Sequence, residues 1–278
     1  MRRIAAIDIG ASAAKGIIFN GEGEIRGTSY SSCSGADYEP QRELGKVIAE
    51  LSSIAGAPEK IILTGVGATY PGLAEGDDRS FVQELSAVGI GGLVSSGENE
   101  ALIMSMGTGT AYMYADKTGC RHLGGSAMGG GTIRGLAAKM LGTRSIMEIS
   151  VLAGKGNANN VDVLLSEVAK SGTDTLTLDL TSSNFAKADA NTTREDLAAG
   201  IVNLVLQNLG VMAVFAARSC GTKTCVMTGA LTGISTLPGI FERIEAAFGV
   251  RFIVPKLAPF ATAIGAAAIE MGMDFPKI

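Results

Sequence analysis

The sequence predicts an α/β fold in two halves. Short apolar runs alternate along the chain with segments of helical spacing. Each half opens on a strand that runs into a turn of small residues, "IAAIDIGAS" near the start and "ALIMSMGTGT" near residue 105. The 278 residues include 38 glycines, about twice the usual share of roughly 7%. That excess suits tight turns and close backbone packing.

The elements follow in order. "RRIAAIDIG", "AKGIIFN" and "IRGTSYSS" read as strands, with "GEGEI" as a hairpin turn. Over residues 41–55, Leu44, Val47, Ile48, Leu51 and Ile54 recur at helical spacing. "KIILTGVG" is a strand with a glycine-rich exit. "SFVQELSAVGIGGLVSS" is expected as one helix, with Phe81, Leu85, Val88 and Leu93 on a shared face. "ALIMSMGTGT", "AYMYAD" and "CRHLGG" read as strands, and "GGGTIRGLAAKMLG" as a glycine loop opening a helix. Residues 154–194 are polar and less regular, with "SGTDTLTLDLTSSNF" expected as a surface excursion. Helices over 195–219 and 237–248 flank the strand "TCVMTGAL". "RFIVPKL" is a last strand, and "PFATAIGAAAIEMG" a helix of small residues. The expected division is 1–115 and 116–260, with 261–278 returning onto the first half.

Composition narrows the function classes. Hydrophobic residues make up 46% and charged residues 18%, which indicates a compact globular chain. The net charge of −4 and the lack of a basic stripe argue against a nucleic-acid partner. No apolar run reaches the roughly 20 residues of a membrane span, so no membrane partner is expected. Asp8 interrupts the apolar stretch at the start, which does not read as a signal peptide. Cys33, Cys120, Cys220 and Cys225 are scattered without a CxxC pair. Zinc is therefore not expected, and reduced thiols in the cytoplasm are.

Three strand-to-turn sites carry chemistry. In "DIGASAAK" the amides of Gly10, Ala11 and Ser12 can wrap a phosphate, Lys15 adds charge, and Asp8 can hold a hydrated Mg²⁺. A capped hairpin turn is the plainer reading. "SMGTGTAY" offers Gly107, Thr108 and Gly109 in the same two ways. In "GGSAMGGGTIRGL", Gly129, Gly130 and Gly131 precede a helix whose N-terminus favours anions. "VMTGAL" also ends a strand in glycine, at Gly229. Two phosphate loops at the starts of two halves imply a nucleotide held across a cleft. No GxxxxGK[ST] loop and no dinucleotide fingerprint occurs.

Together these segments resemble the acetate-kinase, sugar-kinase, heat-shock-70 and actin superfamily, and within it the type II pantothenate kinases. The likeness runs nearly end to end, through "IDIGASAAKGIIF", "FVQELSAVGIGG", "SMGTGTAY", "HLGGSAMGGGTIRGL", "EDLAAGIVNLVLQNLGVMA", "VMTGAL" and "PFATAIGAAAI". It implies two ribonuclease-H-like domains with a nucleotide cleft between them, ATP with Mg²⁺, and a homodimer. The implied reaction is phosphorylation of pantothenate's primary hydroxyl to 4'-phosphopantothenate, the first step towards coenzyme A. By position it makes Glu84 the general base, a residue that otherwise reads as a solvated helix acid. Asp8, Gly10 and Lys15 would meet phosphate and metal. Ser105 to Thr110 would hold phosphate or substrate, Gly129 to Gly131 the nucleotide, and Gly229 would lie near the adenosine.

Two departures stand out. "GAS" replaces the two glycines and threonine usual in that family. An arginine expected seven residues before the triple glycine falls on His122, beside Arg121. Three arrangements remain open: His122 faces the substrate, a one-residue bulge returns Arg121 to that role, or both belong to the strand alone. Apolar Ile133, Leu136, Met140 and Leu141 after the triple glycine suggest a subunit contact. Competing readings are a kinase of another small alcohol or amino sugar, a dehydratase-activator-like ATPase, and a non-enzymatic ATP- or acyl-CoA-binding regulator.

Overall fold

The computed structural model describes residues 3–32, 38–169 and 179–272. β1 (Ile4–Ile9), β2 (Ala13–Phe19) and β3 (Ile25–Ser32) form an antiparallel meander. After α1 (Pro40–Ala55), β4 (Lys60–Thr64) pairs parallel with β1, and β5 (Arg79–Phe81) pairs parallel with β4. The first sheet therefore runs β3-β2-β1-β4-β5. α2 (Glu84–Ser96) leads to a second meander of β6 (Glu100–Met106), β7 (Thr110–Asp116) and β8 (Gly119–Ser126). Then come α3 (Gly130–Met140), α4 (Ile146–Lys155), a small excursion of β9 (Val163–Leu164), α5 (Leu165–Val168) and β10 (Thr181–Ser183), and the long α6 (Arg194–Ser219). β11 (Thr224–Thr228) pairs parallel with β6, and, after α7 (Leu237–Phe248), β12 (Arg251–Ile253) pairs parallel with β11. α8 (Ala261–Met271) ends the described chain.

The second sheet runs β8-β7-β6-β11-β12, the same plan as the first. Each has a three-strand meander with two parallel strands added beside its first strand. This is the expected α/β fold of two ribonuclease-H-like units, although the sequence carries no visible repeat.

Burial explains the sequence pattern. All six residues of β1 are buried, so the strand reads as an apolar run broken only by Asp8 rather than as an alternation. α1 starts with Pro40 at its first position and stops at Gly56, whose φ is +86°. Its Leu44, Val47 and Leu51 pack against Ala5, Ile7 and Ile18. α6 is the one helix among the described residues long and apolar enough to cross a membrane. Its Ile201, Val205 and Leu209 lie fully buried in the core of the second half, which makes it a core helix.

α2 and α8 lie between the two sheets. Val88, Leu85 and Leu93 of α2 pack on Ile103, Met113 and Val226 of the second sheet. Ala87 joins Ala263, Ile264 and Ala267 of α8 in a cluster with Ile4, Ala6 and Ile62 of the first. The two helices touch backbone to backbone. A methyl group on Gly265 would collide with the Ala87 carbonyl, and one on Gly91 with that of Ala261.

Three sequence expectations change. Residues 80–81 form part of β5, not the start of a helix. The exposed edge of β4 binds them, with the amide of Val82 donating to the Leu63 carbonyl at 2.9 Å, and pairing overrides spacing. β6 and β7 belong to the second sheet, so a division at 115/116 would cut through it. We propose a division by sheet, with α2 between the halves and α8 returned to the first. The apolar residues after the triple glycine are largely consumed inside the second half. Ile133 and Leu141 are buried and Leu136 packs on the same core, leaving Met140 exposed. Of the surface excursion, residues 171–178 lie outside the described residues, and Thr181–Ser183 pairs with β9.

Candidate active site

A cavity of about 440 Å³ opens between the halves. Asp8, Gly10, Ala11, Ser12 and Lys15 line it from the first sheet. Ser105, Gly107, Thr108, Gly109 and Thr110 line it from the second. Glu84 stands at the head of α2, and Gly130, Arg134 and Gly229 complete the wall.

The two loops meet across this cavity. Ser12 Oγ and Thr108 Oγ1 share a hydrogen bond of 2.9 Å. Each loop is braced from behind. The Gly10 amide donates to the Ala13 carbonyl at 2.9 Å, and the Tyr38 hydroxyl donates to the Gly10 carbonyl at 2.8 Å. The amides of Ala11, Ser12 and Thr108 donate to no other group among the described residues, so they are available to a bound anion. Two glycines at positive φ let neighbouring strands close in at equivalent places. A side chain on Gly65 would strike the end of β1 at Ile9, and one on Gly229 the end of β6 at Met106.

Asp8 and Lys15 face each other on paired strands, with Lys15 Nζ 3.3 Å from Asp8 Oδ2, and both are buried. Glu84 is half-buried. Burial pushes its carboxyl above the ordinary value of 4.5, and the charge of Asp8 adds to that, while Lys15 and the Val66 amide act the other way. A carboxyl so placed is a stronger proton acceptor than a solvated one.

The triple glycine works differently from expectation. The amides of Gly130 and Gly131 donate to the carbonyls of Gly107 and Thr108, each at 2.9 Å, and that of Gly129 to Thr132 Oγ1 at 3.3 Å. Side chains at Gly129 or Gly131 would crowd the Gly107–Thr108 backbone. These glycines therefore dock α3 onto the second loop, and only Gly130 lines the cavity.

Arg121 and His122 do not reach the cavity; both side chains are exposed. β8 does carry a bulge. Tyr112 pairs with Gly124 and Met113 with His122, leaving Leu123 over. The bulge does not restore Arg121, because that residue pairs with Tyr114 and lies 3.7 Å from Cys220 Sγ at the end of α6. Ser105 does line the cavity, as does Thr110, whose hydroxyl donates to the Met128 carbonyl at 3.0 Å.

Sequence reasoning missed Arg134. It follows Gly130 by four residues and so shares a helix face with it, a spacing that could have disclosed it. Its Nε is buried without a hydrogen-bond partner, and its guanidinium makes no ion pair among the described residues.

No cluster of three or more His, Cys, Asp or Glu side chains occurs among the described residues. One buried carboxylate, Asp8, beside loops with free amides is a donor set that suits Mg²⁺, which takes one or two protein carboxylates and completes its shell with water and other oxygens. Cys120 and Cys225 lie on β8 and β11 with β6 and β7 between them, about 14 Å apart at usual strand spacing. They do not converge on one cluster, and Cys33 lies outside the described residues.

Comparison with known proteins finds chains similar to this one. A type II pantothenate kinase from Staphylococcus aureus is 26% identical over 224 residues, covering 76% of this chain and 83% of that one. Among solved structures, the activator of the 2-hydroxyisocaproyl-CoA dehydratase from Clostridium difficile with bound ADPNP superposes with a TM-score of 0.66. It is 20% identical, with 99% of both chains covered. A ROK hexokinase from Thermus thermophilus gives a TM-score of 0.54 at 13% identity, covering 97% of this chain and 99% of that one. Those two show the fold alone. The Fumble family model matches residues 99–244, just over half the chain. The chain belongs to the Fumble family.

Proposed function

We propose that this protein transfers the γ-phosphoryl group of ATP to the primary hydroxyl of pantothenate, giving 4'-phosphopantothenate and ADP. The observation that carries the kinase reading is the meeting of two small-residue loops, one from each sheet, at Ser12 and Thr108. Their free amides and Lys15 surround a space fitted to a phosphate chain. Phosphoryl transfer asks for positioning and charge neutralisation more than for covalent chemistry, and these parts supply both.

Glu84 accepts the proton. The substrate hydroxyl oxygen bonds to the γ-phosphorus, the bond from that phosphorus to the β–γ bridging oxygen breaks, and ADP leaves with that electron pair. The hydroxyl proton passes to the Glu84 carboxylate. Asp8 is the side chain to hold Mg²⁺, which when bound would neutralise charge on the phosphates. Lys15, 3.3 Å from Asp8, adds positive charge to the same wall.

Pantothenate is the substrate favoured by the S. aureus relative and by the family match. With Arg121 and His122 outside the cavity, substrate polarity must be met by Ser105, Thr110 and their neighbours. The test is ADP release in a coupled assay with pantothenate, with glucosamine and with no acceptor. Release stimulated by pantothenate supports the assignment. Stimulation by the amino sugar alone moves the substrate while keeping the kinase chemistry.

A further inference from the structure

We infer that Arg134 binds the ribose-linked phosphate of the nucleotide; this rests on the kinase reading of the cavity. Two cationic side chains line the cavity, Lys15 and Arg134. Lys15 already has an acidic partner, Asp8, at 3.3 Å. Arg134 has no such partner among the described residues, and its Nε is shielded from solvent without an acceptor. A guanidinium cannot shed its charge by losing a proton. Held half out of water, it gains most from an anionic oxygen pair, the bidentate geometry that suits a phosphate.

Position selects which phosphate. Gly130 is the first residue of α3 and touches the second loop, where the terminal phosphates belong. Arg134 lies on the same face, four residues and about 6 Å further along the helix axis. Leu231 lies against Gly130, and Leu231 and Ile146, both aliphatic, line the same cavity. They offer a base apolar surface and offer Arg134 no charge. A nucleotide that places its outer phosphates between Ser12 and Thr108 and its base on these aliphatic groups brings its inner phosphate to α3. The helix dipole weakens beyond the first turn, so the side-chain charge takes over where the backbone's ends.

The experiment is calorimetric titration of adenosine, AMP and ADP into the wild-type protein, Arg134→Met and Arg134→Lys, with melting curves to check folding. A charge-assisted pair gives an expected loss of about 10–100-fold for both ADP and AMP in Arg134→Met. Adenosine affinity should stay within about twofold. Arg134→Lys, which keeps the charge but loses the fork, should recover part of the loss. An equal loss for adenosine would mean that the guanidinium serves the base or ribose and would overturn the inference. So would a loss for ADP but not AMP, which would assign it to an outer phosphate. Unchanged ADP binding in Arg134→Met overturns it while leaving the kinase reading intact. Failure of wild-type protein to bind ADP at all overturns the kinase reading as well.

Discussion

Glu84 begins α2 with its carboxyl in the field of Asp8 and Lys15, and its raised proton affinity follows from burial first and from Asp8 second. Glu84→Gln should lower turnover by about 10²–10⁴-fold, the usual cost of losing a general base, with ADP affinity retained. The wild-type rate should climb with pH through a group titrating above 4.5, because only the carboxylate accepts a proton, and the Glu84→Gln variant should lack that limb. The same shift acts on stability with the opposite sign. Above 4.5 the folded state binds more protons at this site than the unfolded one, so stability falls as pH rises through the shifted value. Glu84→Gln should therefore melt higher than wild type at neutral pH, which calorimetry would read directly. At this scale the sequence was informative about placement where charged and small residues fall in tight spacing. Asp8, Gly10, Ser12 and Lys15 fall together because they sit on one hairpin, β1–β2. Arg121 and His122 did not, since the side to which a strand residue points depends on a bulge and on α6, neither of which spacing reveals.

Between elements, the placement of Glu84 depends on how α2 meets α8. Gly91 and Gly265 let the helix backbones touch, and the apolar faces of the pair look towards opposite sheets. Gly265→Ala drives a methyl group into the Ala87 carbonyl, one turn along α2 from Glu84. It should destabilise the fold by about 1–3 kcal/mol, as overpacking does, and lower turnover more than it weakens ADP binding. Denaturant melts with paired kinetics check both; a variant as stable and active as wild type would mean that the helices are free to part. The small-residue helix itself was legible in "PFATAIGAAAIEMG". The triple glycine was legible as a feature but not in its job. Its amides are spent on Gly107 and Thr108, a long-range contact that no local pattern encodes. β5 was hidden for a related reason, since its partner β4 lies across a loop.

At the scale of the whole molecule, two sheets of one plan place their glycine loops face to face, and the cavity is what they enclose. The matching strand order escaped the sequence because packing conserves the plan while leaving side-chain identity free. We also propose a homodimer, on the family resemblance, since the apolar residues after the triple glycine are largely used inside one chain. Light scattering at micromolar concentration should give twice the chain mass; a monomer mass would contradict it. The central claim is that the loops, Asp8, Lys15 and Glu84 together move a phosphoryl group onto pantothenate. Phosphorus NMR of wild-type protein with ATP, Mg²⁺ and pantothenate tests it most directly. The account predicts a new phosphomonoester signal that grows in step with ADP, needs pantothenate, and is at least about 10²-fold slower with Glu84→Gln. ATP converted to ADP and free phosphate alone, at the same rate with or without pantothenate, would contradict it.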